Sequence, residues 1–426
     1  MLMIAIFILL LILICINVPI AIALAMSGVV GLLITEGPNS FVTIALDMYS
    51  GATKFSLIAI PMFVLAGAIM NAGGITDRLI NFVSALIGFV RGGLAMVNIG
   101  VSLFFAEISG SAVADVAAMG SILIPQMKKR GYSAPFAAAV TSSSASLAII
   151  IPPSIPMILY AASSNTSVEQ LFVAGVVPGL LGAAGLMFVA YIFARRYNLP
   201  TEEAFNTKRL RETFVDALPA FALPVIILGG IFGGFVTATE AAGLAVIAAL
   251  LVSAWYRNLD LGHLRRAMLD GGIQTAVVML LVAASVLVGG FLTRAQVPQG
   301  IAEGILSITS QQWVILLILN FFFLVVGFFL HSAAAIILVV PIVIPLITAA
   351  GIDPVHFGLV VTLNLAIGQQ TPPVASVLIT SCAVARANIW DVSKVNIWFI
   401  LVLFLVLMLC TYVPSVPLFL VEYFYR

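Results

Sequence analysis

Charge is what this chain has least of. Its 426 residues include 18 Lys and Arg and 17 Asp and Glu, so only 8% are charged. A water-soluble domain carries roughly 25%, and a chain this poor in charge cannot cover a water-facing body. With 62% hydrophobic residues and a mean hydropathy of +1.22, the solvent it implies is the lipid bilayer. A net charge of +1, with the basic residues scattered, excludes a nucleic-acid surface, which needs Lys and Arg clustered on one face. Cysteine is as scarce. Cys15, Cys382 and Cys410 lie in apolar runs without a CxxC spacing, which excludes a disulfide framework or a metal site and marks them as small core residues. None of His263, His331 and His356 is followed by Glu, and no Lys follows Gly in a phosphate-loop spacing, so no enzyme motif stands out.

Apolar length and repetition are abundant. The first stretch, 1–16 with Ala21, Ala23 and Ala25 beyond it, has the look of a signal peptide but lacks a positive n-region, and is expected to be a membrane helix. A constant offset of 220 residues then relates two halves of the sequence. Ile124-Pro125, Gly131 and the capping residue Ser133 correspond to Ile344-Pro345, Gly351 and Asp353, and Pro152-Pro153 corresponds to Pro372-Pro373. The same offset lays a helix at 237–256 on 17–36 and one at 271–293 on 51–73.

This register predicts an all-α polytopic membrane protein of two repeats, 1–200 and 214–426, joined by a cytoplasmic linker, 201–213. Each repeat is expected to hold three crossings, an amphipathic segment (75–91; 295–311), a helical hairpin (93–130; 312–350), a broken helix (133–163; 354–386) and a final crossing. The number of crossings per repeat is odd, so the second repeat is expected to sit inverted, whether the hairpins span or only dip into the membrane. Inverted repeats are a common build of secondary transporters, with the ligand site at the repeat interface. Placing both termini in the periplasm puts 15 of the 18 Lys and Arg in inner loops and leaves only Lys54, Arg294 and Arg426 outside, a strong positive-inside bias.

The chemistry is expected at the hairpin tips and helix breaks. Ser109-Gly110-Ser111 forms a bend that needs glycine, and the second hairpin turns near Leu330-His331-Ser332-Ala333. These are either ordinary small-residue caps or half-helix ends that meet to make an ion or substrate site. The Pro-Pro pairs are expected to free the carbonyls of Ala148, Ile149, Gly368 and Gln369. A cation such as sodium would occupy them, unless the prolines are simple kinks with serines bonding back to their own turn. Hydroxyls crowd the first break from Thr141 through Ser142, Ser143, Ser144 and Ser146, while Thr362, Asn364, Gln370 and Thr371 flank the second. Glu107 and Asp115 flank the first tip as intramembrane carboxylates, either supporting a cation or holding a protonated hydrogen bond. His331 reads either as tip cap or as substrate contact. The spacings Gly88-x-x-x-Gly92 and Gly175-x-x-x-Gly179 read as close helix packing.

Residues 107–160, EISGSAVADVAAMGSILIPQMKKRGYSAPFAAAVTSSSASLAIIIPPSIPMILY, followed by SVEQLFVAGVVPGLL, resemble the large membrane subunit of TRAP transporters, the tripartite ATP-independent periplasmic family. The resemblance extends over essentially the whole chain. It implies a sodium-driven importer of organic acids that works by an elevator movement, with re-entrant hairpins, a small four-helix membrane subunit and a periplasmic substrate-binding protein as partners. It further implies at least two Na+ ions, one held by Ser109, Gly110 and Ser111 with Ser142, Ser143 and Ser146, the other by His331 and Ser332 with Gly368 and Thr371. Substrate contacts would come from Ser111, Pro152, Ser154, His331 and Pro373. The related divalent-anion symporters carry Ser-Asn-Thr at both tips, which this sequence does not. The expected function is therefore sodium-coupled import of a C4-dicarboxylate or sialic acid across the bacterial inner membrane. The rivals are a self-sufficient anion symporter and an uncoupled channel or scaffold.

Overall fold

The computed structural model describes residues 2–16, 18–201, 204–258 and 261–425, without the side chains of 2–4, 11, 15, 39, 107–109, 261 and 263. The described residues form helices and no β-strand. Eight of these helices are long and apolar enough to cross a membrane. Large apolar side chains such as Phe188, Phe321 and Leu405 are exposed on the outside, as expected where the solvent is hydrocarbon and not water.

The first hairpin consists of Gly93–Ser109 and a return arm in which Ala112–Asp115 and Ser121–Lys129 are α-helical and Val116–Gly120 forms a π turn. The second consists of Gln312–Phe329 and Ser332–Ala349. Gly110 has φ 57°, the left-handed backbone that glycine adopts without penalty, so the tight first tip follows directly from the residue placed there. Each hairpin is followed by a capped helix. Ser133 accepts from the Phe136 N–H ahead of Ala134–Ala145, and Asp353 accepts from Val355 and His356 N–H ahead of Pro354–Gly368.

Both capped helices break at their Pro-Pro pairs. They resume as Ile155–Ser164 and Ser376–Ala385. The Tyr160 hydroxyl, near the end of the first broken helix, donates to the Pro354 carbonyl at the start of the second, at 2.8 Å. At the opposite level, Lys128 Nζ, just before the first broken helix, donates to the Ala385 carbonyl at the end of the second, at 2.9 Å. The two broken helices therefore run in opposite directions, side by side.

Around this pair, Ala238–Trp255 packs on Ala59–Ala72, and the long helix Leu261–Arg294 packs on Ile20–Glu36, Ser40–Ala52 and Ala59–Ala72. Glycines make the approach close: a Cβ on Gly28 would lie 2.6 Å from Leu287 Cβ, and one on Gly31 would lie 2.9 Å from the Phe291 ring. Leu261–Arg294 is longer than the 271–293 expected, because 261–270 continues the helix with Leu264 and Ala267 on its inner side. Thr207–Ala217 is likewise helical and begins inside the polar stretch 201–213. It docks on Ile75–Ile87 through the Arg78–Asp216 ion pair at 3.3 Å, with the Arg78 guanidinium 3.7 Å from the Tyr256 ring centre.

Candidate substrate and ion site

Four helix N-termini meet around one cavity of about 560 Å³. Ala112 starts the return arm of the first hairpin, Ile155 the second half of the first broken helix, Ser332 the return arm of the second hairpin, and Ser376 the second half of the second broken helix. All four line the cavity, with Ser111 and His331 at the tips and Ile273, Gln274, Val277 and Val278 of the long helix opposite. No Lys, Arg, Asp or Glu is among its lining residues. Helix N-termini present partial positive charge from their peptide dipoles, which suits a carboxylate.

The first tip lies on the first break. A Cβ at Gly110 would come within 2.8 Å of the Pro153 carbonyl oxygen and 3.1 Å of the Ile155 nitrogen. The second hairpin meets the second broken helix through two glycines: a Cβ on Gly368 would lie 2.6 Å from the Gly327 backbone. Gly175 and Gly179 fit their packing role, since Cβ atoms there would fall 2.1 Å from the Ile150 carbonyl and 2.4 Å from Ile151. Gly92 similarly approaches Ala194, whereas a Cβ on Gly88 would lie nearest its own turn at Ser84.

Of the residues read as substrate contacts, Ser111 and His331 line the cavity, while Pro152, Ser154 and Pro373 are not among its lining residues. Ser154 is buried and caps its helix, accepting from the Met157 N–H and donating to the Ile149 carbonyl at 2.7 Å. That bond corrects the expectation of a free carbonyl at Ile149; for Gly368 and Gln369 the correction lies in backbone bonds. The Gly368 carbonyl accepts from Thr371 N–H and the Gln369 carbonyl from Val377 N–H. Residues in and just after each break supply donors to these oxygens, as burial in an apolar interior requires.

The hydroxyl run is divided among several tasks. Thr141 and Ser144 hold the first arm of the hairpin: Asn98 Nδ2 donates to Thr141 Oγ1 at 2.7 Å, and Ser102 Oγ to Ser144 Oγ at 2.9 Å. On the second broken helix, Asn364 donates to Asn320 Oδ1 at 2.7 Å, and Asn320 donates to Thr411 at 3.1 Å. Thr362 bonds back to Leu359, Ser146 to Ser142 and Thr371 to Ile367. Ser143 reaches across to Gln370 and Asn396. The Ser142 hydroxyl is fully buried and has no hydrogen-bond partner among the described residues. The turn Ser146–Ile149, which follows these serines, packs on both arms of the first hairpin near its tip.

Asp115 is buried, at 1% exposure, and lines a second cavity of about 450 Å³ together with Asn71, Arg266 and Asp270. The two cavities share Val64, Ala114, Ala117 and Gln274, so the space between the tips continues along the long helix toward Arg266. The side chains of Glu107 and Ser109 lie outside those described. The residues that sequence reasoning passed over are Gln369, Ser376 and Thr380 of the second break and Gln274 of the long helix. The neighbouring Gln370-Thr371 pair was the nearest signal.

On the face away from Arg266, Lys54 Nζ lies 2.5 Å from the Ala162 carbonyl, and Arg294 pairs with Glu36 and Asp47. Lys54 and Arg294 line a further cavity of about 350 Å³.

Apolar crossing helices, two hairpins and a pair of opposed broken helices around a shared cavity are the features of a multi-pass membrane transport protein. The model of the family "Tripartite ATP-independent periplasmic transporter, DctM component" matches residues 7–416, and the chain belongs to that family, the large membrane permease of TRAP transporters. It is 38% identical over 394 residues to the C4-dicarboxylate TRAP transporter large permease protein DctM of Pseudomonas aeruginosa, covering 92% of each chain. It is 35% identical over 381 residues to the sialic acid TRAP transporter large permease protein SiaM of Vibrio cholerae, covering 89% of each. The crystal structure of the Alcanivorax borkumensis YdaH transporter has the same fold, with a TM-score of 0.65 at 14% identity over 89% of each chain.

Proposed function

We propose that this permease imports an organic acid of the C4-dicarboxylate or sialic-acid class into the cell, driven by at least two sodium ions. The observation that carries the proposal is the cavity between the hairpin tips, which four helix N-termini line without a Lys or Arg side chain. An acid entering it meets partial positive charge from the backbone, at roughly 0.3–1 kcal/mol per helix end, and bound sodium neutralises what remains. One ion belongs at the first tip, with the Ser142 hydroxyl. The other belongs at the His331-Ser332 tip, beside Gly368 and Thr371. The relatives named for C4-dicarboxylate and for sialic acid support the substrate class.

In this reading residues 1–200 and 214–426 are inverted repeats, an arrangement supported by the opposed broken helices. The re-entrant hairpins and broken helices move together as an elevator against the helices packed around Leu261–Arg294. The 15 inner-loop Lys and Arg support periplasmic termini and a cytoplasmic Arg266 face. Its partners are a small four-helix membrane subunit and a periplasmic binding protein.

Reconstitution of this chain alone, with the small subunit, and with both partners tests the assembly. Uptake only from the full set, with substrate-loaded binding protein outside, is expected. Sodium-driven uptake of free substrate by this chain alone would overturn the tripartite arrangement.

A further inference from the structure

One side chain from outside both breaks joins them. Asn396, fully buried on Ile389–Tyr412, accepts from Ser143 Oγ at 2.7 Å. It also turns Nδ2 toward the Gln370 carbonyl and Oε1, at 3.4 and 3.5 Å. Ser143 Oγ lies 2.8 Å from the same Gln370 Oε1. Ser143 belongs to the first broken helix and Gln370 to the second break, so the three residues close a loop across the two halves of the chain. All three are fully buried.

The chemistry of this loop gives it two settings. A serine hydroxyl carries one proton, and here it has two acceptors at nearly equal distance. When the proton points to Gln370, the first broken helix is tied directly to the second break. When it points to Asn396, the tie runs through the helix Ile389–Tyr412, and Gln370 meets the first half only through the long Nδ2 contact of Asn396, while its own Nε2 donates to the Ala366 carbonyl. Gln370 adjoins Gln369, which lines the inter-tip cavity, and Ser143 adjoins Ser142, whose hydroxyl is unpartnered. A cation drawing on the first break shifts Ser142 and Ser143 together. Ser143 can then transmit that shift only through these two acceptors. The position 220 residues before Asn396 is Val176, so the tie exists once and is not duplicated by the repeat.

We propose that Asn396 is a positioning residue that couples cation occupancy at the two breaks, an inference that rests on the sodium-driven reading above. The test uses the complete transporter, reconstituted with its partners, and measures the Hill coefficient for sodium in the wild type, Asn396→Leu and Asn396→Asp. The wild type is expected to give a coefficient of about 2 for two coupled ions, and Asn396→Leu to fall toward about 1 while still transporting. Asn396→Asp keeps the acceptor for Ser143 and loses the donor to Gln370, so it should fall between them. A purely structural contact would lower yield or maximal rate and leave the coefficient unchanged; that result in a sodium-dependent wild type overturns the inference. A requirement for Asn396 so strict that neither variant folds overturns it equally. A wild type indifferent to sodium would instead remove the underlying sodium-driven reading.

Discussion

The Tyr160 hydroxyl donates to the Pro354 carbonyl across 194 residues of chain, at 2.8 Å, and fixes the end of one broken helix to the start of the other. The Tyr160 ring also fills the space left by Gly358, where a Cβ would lie 2.5 Å from the ring. Tyr160→Phe keeps that packing and removes the bond. It should destabilise the protein by about 0.5–1.5 kcal/mol, the net value of one hydrogen bond, because Pro354 is exposed and its carbonyl stays accessible to other partners. The check is thermal unfolding of the purified protein in detergent, where an unchanged midpoint would count against the tie.

The first hairpin tip tolerates no side chain. Gly110 combines φ 57° with a position 2.8 Å from the Pro153 oxygen, while Gly131, at the hairpin base, has φ 87° and nothing within 4 Å of its would-be Cβ. Both substitutions to Ala meet a backbone penalty of roughly 1–2 kcal/mol. Only Gly110→Ala also pushes the tip off the break. Uptake assays should show Gly110→Ala severely impaired and Gly131→Ala close to wild type at equal folded protein. Equal uptake by the two variants would separate the tip from function.

How much of this was legible in the sequence depends on how local the signal is. Gly110, Ser133, Asp353 and the two Pro-Pro pairs act on their own backbone, so the tips, caps and breaks could be located from residue identity and the 220-residue register alone. The direction of the chain after each Pro-Pro pair is set by packing against the opposite repeat. For that reason Ser376, Thr380 and Gln369 were missed as cavity residues, and Ser154 proved to be a cap. The satisfaction of the Ile149 and Gln369 carbonyls was hidden for the same reason: their donors, Ser154 and Val377, lie beyond the Pro-Pro pairs. Gln274 lies in an apolar helix, and only the packing of that helix on the return arm of the second hairpin places it at the cavity.

Sodium dependence discriminates among the hydroxyls. Ser142 is buried without a partner, Ser111 stands at the tip, and Ser144 is engaged with Ser102 and Asn98. Loss of one contact to a charged group, about 1.5 kcal/mol, should raise the sodium concentration for half-maximal transport about tenfold in Ser142→Ala or Ser111→Ala. Ser144→Ala should lower stability and leave that concentration nearly unchanged. A wild-type sodium requirement in both Ser142→Ala and Ser111→Ala would move the first ion elsewhere.

The orientation rests on the basic loops. Single cysteines replacing Lys129 and Asn206 should be protected from an impermeant thiol reagent added to intact cells, and one replacing Asn165 should react. Labelling of position 206 from outside would reverse the topology.

The most direct measurement is accumulation of the organic acid in proteoliposomes that hold this permease with its small subunit and receive loaded binding protein outside. With sodium higher outside than in, the account predicts internal substrate rising above the external concentration, and the accumulated substrate leaving when an ionophore abolishes the sodium gradient. Uptake that stops at equal concentrations whatever the sodium gradient would contradict it and leave an uncoupled pathway.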